Sequence, residues 1–66
     1  MCLLKVYVDE GKSGKKLIAE QIALVIKENN EIKLKNLDFE ETKLDNVQIL
    51  SIDTLNSILL LKSKET

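Results

Sequence analysis

The stretch Val25-Ile26-Lys27-Glu28-Asn29-Asn30-Glu31-Ile32-Lys33-Leu34 decides how the rest of the chain is read. Just before and into it, Ile18, Ile22, Val25 and Ile26 satisfy helical spacing, while Ile22, Leu24 and Ile26 alternate as a strand would. Periodicity alone therefore leaves Leu17 to Glu28 open between helix and strand. The residues that follow favour the strand. Asn29-Asn30 lies between Ile26-Lys27-Glu28 and Glu31-Ile32-Lys33, a near-symmetric flank around two residues that tolerate positive φ. That is the pattern of a two-residue β-hairpin, weaker than Asn-Gly but of the same kind. Past the turn, Ile32 and Leu34 point one way and Lys33 and Lys35 the other, so the second strand has one wet face.

Working outward from the hairpin, the remaining segments read the same way. Cys2, Leu4, Val6 and Val8 share one face of a first strand, opposite Leu3, Lys5, Tyr7 and Asp9. Asp9-Glu10-Gly11-Lys12-Ser13-Gly14 ends it with turn chemistry. After a break at Asn36-Leu37-Asp38, a short mixed segment from Phe39 to Leu44 reads as an edge strand, and Asp45-Asn46 turns the chain again. Val47 to Asp53 and Ser57 to Lys62 are two further strands joined across Asp53-Thr54-Leu55-Asn56. Five or six short strands at about ten-residue spacing, without proline, predict an all-β fold, a small antiparallel meander curled into an SH3-like barrel. No repeat or linker interrupts residues 1–66, which read as one domain. The last strands are apolar on both faces. Ile58 and Leu60 oppose Leu59 and Leu61, and Leu50 and Ile52 oppose Val47 and Ile49, so one set fills the interior and the other needs a partner surface.

Size and composition narrow what that partner is. A chain of 66 residues with 44% hydrophobic content folds, but a domain this short hides only about 60% of its unfolded surface and usually needs added support. One cysteine and no histidine exclude an intrachain disulfide and a conventional structural zinc cluster. Self-association remains, and a homodimer is expected. The same residue inventory rules out an internal Cys-His or Ser-His-Asp constellation, so no enzyme activity is expected. Glu40-Glu41 and Asp9-Glu10 are adjacent carboxylates that a strand would send to opposite faces. Gly11-Lys12-Ser13 resembles the end of a phosphate loop, but Val6 stands where that motif requires glycine.

Ten lysines against eleven acidic residues give a net charge of −1, with the signs interleaved and no arginine. This opposes binding to nucleic acid or an anionic membrane. An RNA-binding module would have to use the hairpin lysines Lys12, Lys15, Lys16, Lys33 and Lys35, with Tyr7 and Phe39 as the only aromatics for base stacking. The N-terminal residues are too short and too alternating for a secretory apolar segment, and no apolar run reaches the length of a membrane span, so the expected compartment is the cytoplasm.

Cys2 is the one residue with distinctive chemistry. A lone cysteine in the inward register of a first strand can be simply a small buried hydrophobe, and the chain then a structural or adaptor domain. Its position allows another role. With Met1 retained, the amine of Met1, the Cys2 amide nitrogen and the Cys2 thiolate close two fused five-membered chelate rings, an N,N,S set suited to square-planar Ni(II) or Cu(II). With Met1 removed, the Cys2 amine and thiolate still form one ring. In either form, a two-fold axis would bring two thiolates together.

Met1-Cys2-Leu3-Leu4-Lys5-Val6-Tyr7-Val8, supported by Leu17-Ile18-Ala19-Glu20 and the Val25 to Leu34 hairpin, resembles the CooT-like family of small nickel-binding proteins over essentially all 66 residues. The resemblance implies a homodimer that binds Ni(II) through Cys2, in some members associated with nickel supply to carbon monoxide dehydrogenase. Its partners would be a nickel enzyme or the maturation proteins of one. Members of the family are also labelled predicted RNA-binding proteins. Only Cys2 carries over as a ligand. Without histidine there is no histidine-rich store, so delivery or sensing is the implied role.

Overall fold

A computed structural model describes residues 3–63; Met1, Cys2 and residues 64–66 lie outside the described part. Six strands make one sheet: β1 (Leu4–Asp9), β2 (Lys15–Glu28), β3 (Glu31–Asn36), β4 (Glu41–Asp45), β5 (Val47–Asp53) and β6 (Ile58–Ser63), in the order β4-β3-β2-β1-β6-β5. The segment that periodicity leaves open is strand throughout and pairs with β3 from Glu28 opposite Glu31 back to Ile22 opposite Asn36. Asn29 takes the positive φ, 51°, that the hairpin turn requires.

The long strand β2 serves two neighbours in succession. Its first half pairs with β1, Lys15 beside Asp9 and Ile22 beside Leu4. Its second half pairs with β3. Register shifts on both sides of Ile22, together with a φ of 54° at Gln21, mark where the strand folds over. The fold-over carries the Asn29–Asn30 tip back to the start of β5, where the Asn46 N–H donates to the Asn30 carbonyl at 2.9 Å. One end of the sheet therefore gathers this tip, the start of β5 and the β1–β2 turn, which contains a single 3-10 turn at Gly11–Ser13. The other end gathers the start of β1, the β3–β4 loop and the β5–β6 loop, aligned along the row Asn36, Ile22, Leu4 and, through Lys5, Ile58 and Asp53.

The inner face closes on Val6, Ile22, Ile32, Leu34, Val47, Leu59 and Leu61, all buried, with Leu4, Val8, Ile18, Ala19, Val25, Leu44 and Ile49 packed against them. Among the described residues no polar or charged side chain is buried. The alternation read from the sequence thus holds: Leu59 and Leu61 are inside and Ile58 and Leu60 are half-exposed.

Four expectations are corrected. The sheet is mixed rather than an antiparallel meander, because β6 returns beside β1 in parallel, Lys5 beside Ile58 through Asp9 beside Lys62. It is also not closed as a barrel: β4 and β5 are its two edges. Asn46, at a φ of 56°, turns the chain between them, and β4 presents the exposed charges Glu41, Lys43 and Asp45, which discourage edge pairing. The edge strand starts at Glu41 instead of Phe39, since Asn36 to Glu40 form a closed loop. Finally, Leu50 and Ile52 do not form one face opposite Val47 and Ile49. A bulge at Leu50 puts Ile49 beside Leu61 and Ile52 beside Leu59, so Ile49 and Ile52 share a side.

The outward surface over β2, β3 and β4 is a charge ladder: Lys33 to Glu28 at 2.9 Å, Lys43 to Glu31 at 3.2 Å and Lys35 to Glu41 at 3.8 Å. The hydrogen bond and charge of Lys33 lower the Glu28 pKa, and Glu28 raises that of Lys33. Exposed pairs of this kind are screened and contribute little each. The two loops at the β1-start end share a second device. The Asn36 Oδ1 accepts from the N–H groups of Asp38 and Glu40, and the Asp53 Oδ1 from those of Leu55 and Asn56. The Asn56 Nδ2, donating to the Asp53 Oδ2 at 2.9 Å, and then the backbone N–H groups of Asn56 and Leu55 hold the Asp53 carboxyl below its ordinary value of 3.8.

Leu61→Ala should cost about 3 kcal/mol in urea unfolding, the usual price of an apolar cavity, against a total stability of roughly 3–10 kcal/mol for a chain of this size. An unchanged midpoint would show that Leu61 is not in the core. Because the folded pKa of Asp53 is depressed, its contribution is complete above the unfolded value and lost as pH falls through the folded one. Asp53→Ala should therefore lower the melting temperature at pH 7, and the gap to the parent should narrow towards pH 2. A gap that stays constant with pH would contradict the assigned bonds.

Candidate functional site

Met1 and Cys2, the residues with metal-ligand chemistry in the sequence, lie outside the described residues, so their placement is not part of the structure. What the structure does define is the frame into which they lead. The chain enters β1 at Leu4, which stands beside Ile22 where β2 folds over, and the next residue, Lys5, donates its N–H to the Ser57 carbonyl at 2.9 Å. The start of β1 is thus held between β2 and β6 from its first turn of pairing. Among the described residues, no three His, Cys, Asp or Glu side chains come together as a set that could hold a metal ion. Thiolate, amine and amide nitrogen form a donor set of the kind that suits Ni(II).

The lysines singled out for nucleic acid are not brought together. Lys33 and Lys35 stand on β3 with the carboxylates of Glu28 and Glu41 already beside them. Lys12, Lys15 and Lys16 belong to the β1–β2 turn and the start of β2, at the opposite end from Lys35. The two aromatics are also separate: Tyr7 is half-buried on the outer face of β1 between Leu17 and Leu60, and Phe39 is in the β3–β4 loop. No stacking platform results among the described residues.

Two features of the surface were only partly legible. The outer face of β1, β2 and β6 is apolar, formed by Tyr7, Leu17, Ile58 and Leu60, with Leu50 in the adjoining bulge; Leu17 is 42% and Leu50 44% exposed. The alternation of β6 announced part of this face, but Tyr7 and Leu17 join it only through pairing. A recess of about 600 Å³ bordered by Val8, Asp9, Gly11, Val47 and Lys62 lies at the end of the sheet away from the start of β1. No helix among the described residues is long and apolar enough to cross a membrane.

Comparison with known proteins agrees with this frame. Among curated protein sequences none matches the chain. The crystal structure of a protein put forward as CooT from Carboxydothermus hydrogenoformans superposes with a TM-score of 0.83 at 16% identity, covering 97% of this chain and 100% of that one. At that identity the likeness establishes the fold. Residues 1–62 match the family described as CooT, CO dehydrogenase accessory protein, a span that includes Cys2. The chain belongs to the CooT family.

Proposed function

We propose that this chain is a non-enzymatic Ni(II)-binding accessory protein that works as a homodimer in the cytoplasm, carrying nickel as cargo for carbon monoxide dehydrogenase or another nickel enzyme. The observation that carries the reading is the family match from residue 1 to residue 62, in a chain whose only thiol is at position two. The donor chemistry is compatible with it. Two Cys2 thiolates, completed by N-terminal or backbone nitrogens, would hold one ion between two chains, with Met1 contributing its amine where it is retained. The apolar outer face of Tyr7, Leu17, Ile58 and Leu60 supports self-association, since a 66-residue domain has little core to spare. That face reaches the start of β1 through Ile58, which stands beside Lys5. A two-fold axis at that edge would bring together the starts of the two β1 strands.

The RNA-binding reading receives no comparable support, because Lys33 and Lys35 are engaged by carboxylates. The reading of Cys2 as inert core is separated by chemistry: a thiol available to nickel is also available to a bulky alkylating reagent.

Titration of the purified protein with nickel should develop thiolate-to-metal absorption in the near ultraviolet and release protons, so that binding weakens as pH falls. In Cys2→Ser that absorption should vanish and affinity should drop by at least about a hundredfold, since losing even an outer partner of a ligand costs ten to a hundredfold. Absorption absent in the parent, or affinity unchanged in Cys2→Ser, would overturn the proposal.

A further inference from the structure

Phe39 is the residue least explained by the fold. It is 85% exposed, yet it occupies a left-handed backbone position with a φ of 64°. The loop around it is a three-residue hairpin connection: the Phe39 N–H donates to the Asn36 carbonyl at 3.1 Å and the Asn36 N–H to the Glu40 carbonyl at 3.2 Å. Glycine is the residue that connection favours at its left-handed position, with asparagine the usual substitute, and a bulky side chain there is strained. The strain is held in place by the Asn36 side chain, whose Oδ1 accepts from the Asp38 and Glu40 N–H groups and whose Nδ2 donates to the Glu40 carboxylate at 2.7 Å. An aromatic ring is thereby fixed outward where neither packing nor turn chemistry asks for it. Such local conflict, kept by over-determined surroundings, is characteristic of contact sites.

The second loop at the same end of the sheet repeats the arrangement. Asp53 anchors the β5–β6 loop as Asn36 anchors the other, and Leu55 projects at its tip, 94% exposed. Leu37, 55% exposed, lies in the same loop as Phe39. The charged groups at this end are Asp38, Glu40, Glu41 and Asp53 against Lys5 and Lys35, with Lys15 bordering one recess together with Asp53, so the apolar tips stand in a slightly acidic surround. This is also the end at which the chain enters β1.

We infer that the β3–β4 and β5–β6 loops are a preformed docking surface, in which Phe39 and Leu55 enter separate apolar pockets edged by basic side chains on a partner protein. Resting on the accessory reading above, that partner is the enzyme that receives the metal. Aromatic and aliphatic anchors in a charged rim are the composition of a protein contact rather than of an anionic membrane contact, and the acidic surround selects a basic rim. Docking there brings the partner to the end of the sheet from which Cys2 extends in sequence.

The test uses the intact protein and purified nickel-free carbon monoxide dehydrogenase, with affinity measured at two ionic strengths. In the combined variant Phe39→Asn, Leu55→Asn, which keeps a residue that tolerates the left-handed turn, the dissociation constant should rise at least about tenfold while the melting temperature holds or rises by about 2–5 °C. Asp38→Lys should weaken binding several-fold, and higher salt should weaken the parent. Unchanged affinity in the combined variant, tighter binding by Asp38→Lys, or a melting temperature that falls would overturn the inference. So would loss of self-association in the combined variant, which would make these loops the contact between copies of the chain. A parent that binds nickel through Cys2 but not the enzyme overturns this docking surface and leaves the metal site standing; a parent that docks but binds no nickel does the reverse.

Discussion

The fold-over of β2 at Ile22 is the constraint on which the rest of the structure depends. A strand of 14 residues is too long for its neighbours, and without a bend its two halves would expose one apolar face to water along their whole length. The register shifts beside Ile22 and the left-handed Gln21 let the second half turn back, so that Ile32 and Leu34 of β3 meet Val6, Leu59 and Leu61. Every inner-face contact between the two halves follows from that turn. So does the grouping of loops at two ends, with the start of β1 at one and the Asn29–Asn30 tip at the other.

Packing and function draw on different parts of this small molecule. The interior is wholly apolar among the described residues, and its charges are laid out as exposed pairs such as Lys33 with Glu28. Nothing in that layer requires an exposed phenylalanine, a leucine at a loop tip, or a thiol at position two. Phe39 and Leu55 belong to the two loops at the end of the sheet where β1 starts.

The strand alternation was legible because each face of β3 and β6 is set by residues two apart, and Asn29-Asn30 carries its own turn preference. Asn36 and Asp53 were likewise readable as turn residues, since their side chains satisfy backbone N–H groups two or more residues ahead. Three features were not. The parallel pairing of β1 with β6 joins segments some fifty residues apart, and no local pattern encodes it. The bulge at Leu50 changes the facing of Ile52 without any glycine to announce it. Phe39 at a positive φ contradicts its own preference, so reading propensity extended the edge strand through it. For the candidate site, the donor chemistry of Cys2 was visible in the sequence, and its placement lies outside the described residues.

The proposed sharing of one nickel ion between two thiolates is tested most directly by native mass spectrometry of the nickel-loaded protein. The account predicts a dimer carrying a single nickel ion, with Cys2→Ser dimers carrying none. A nickel ion bound to each chain separately, or a loaded species that is monomeric, would contradict it.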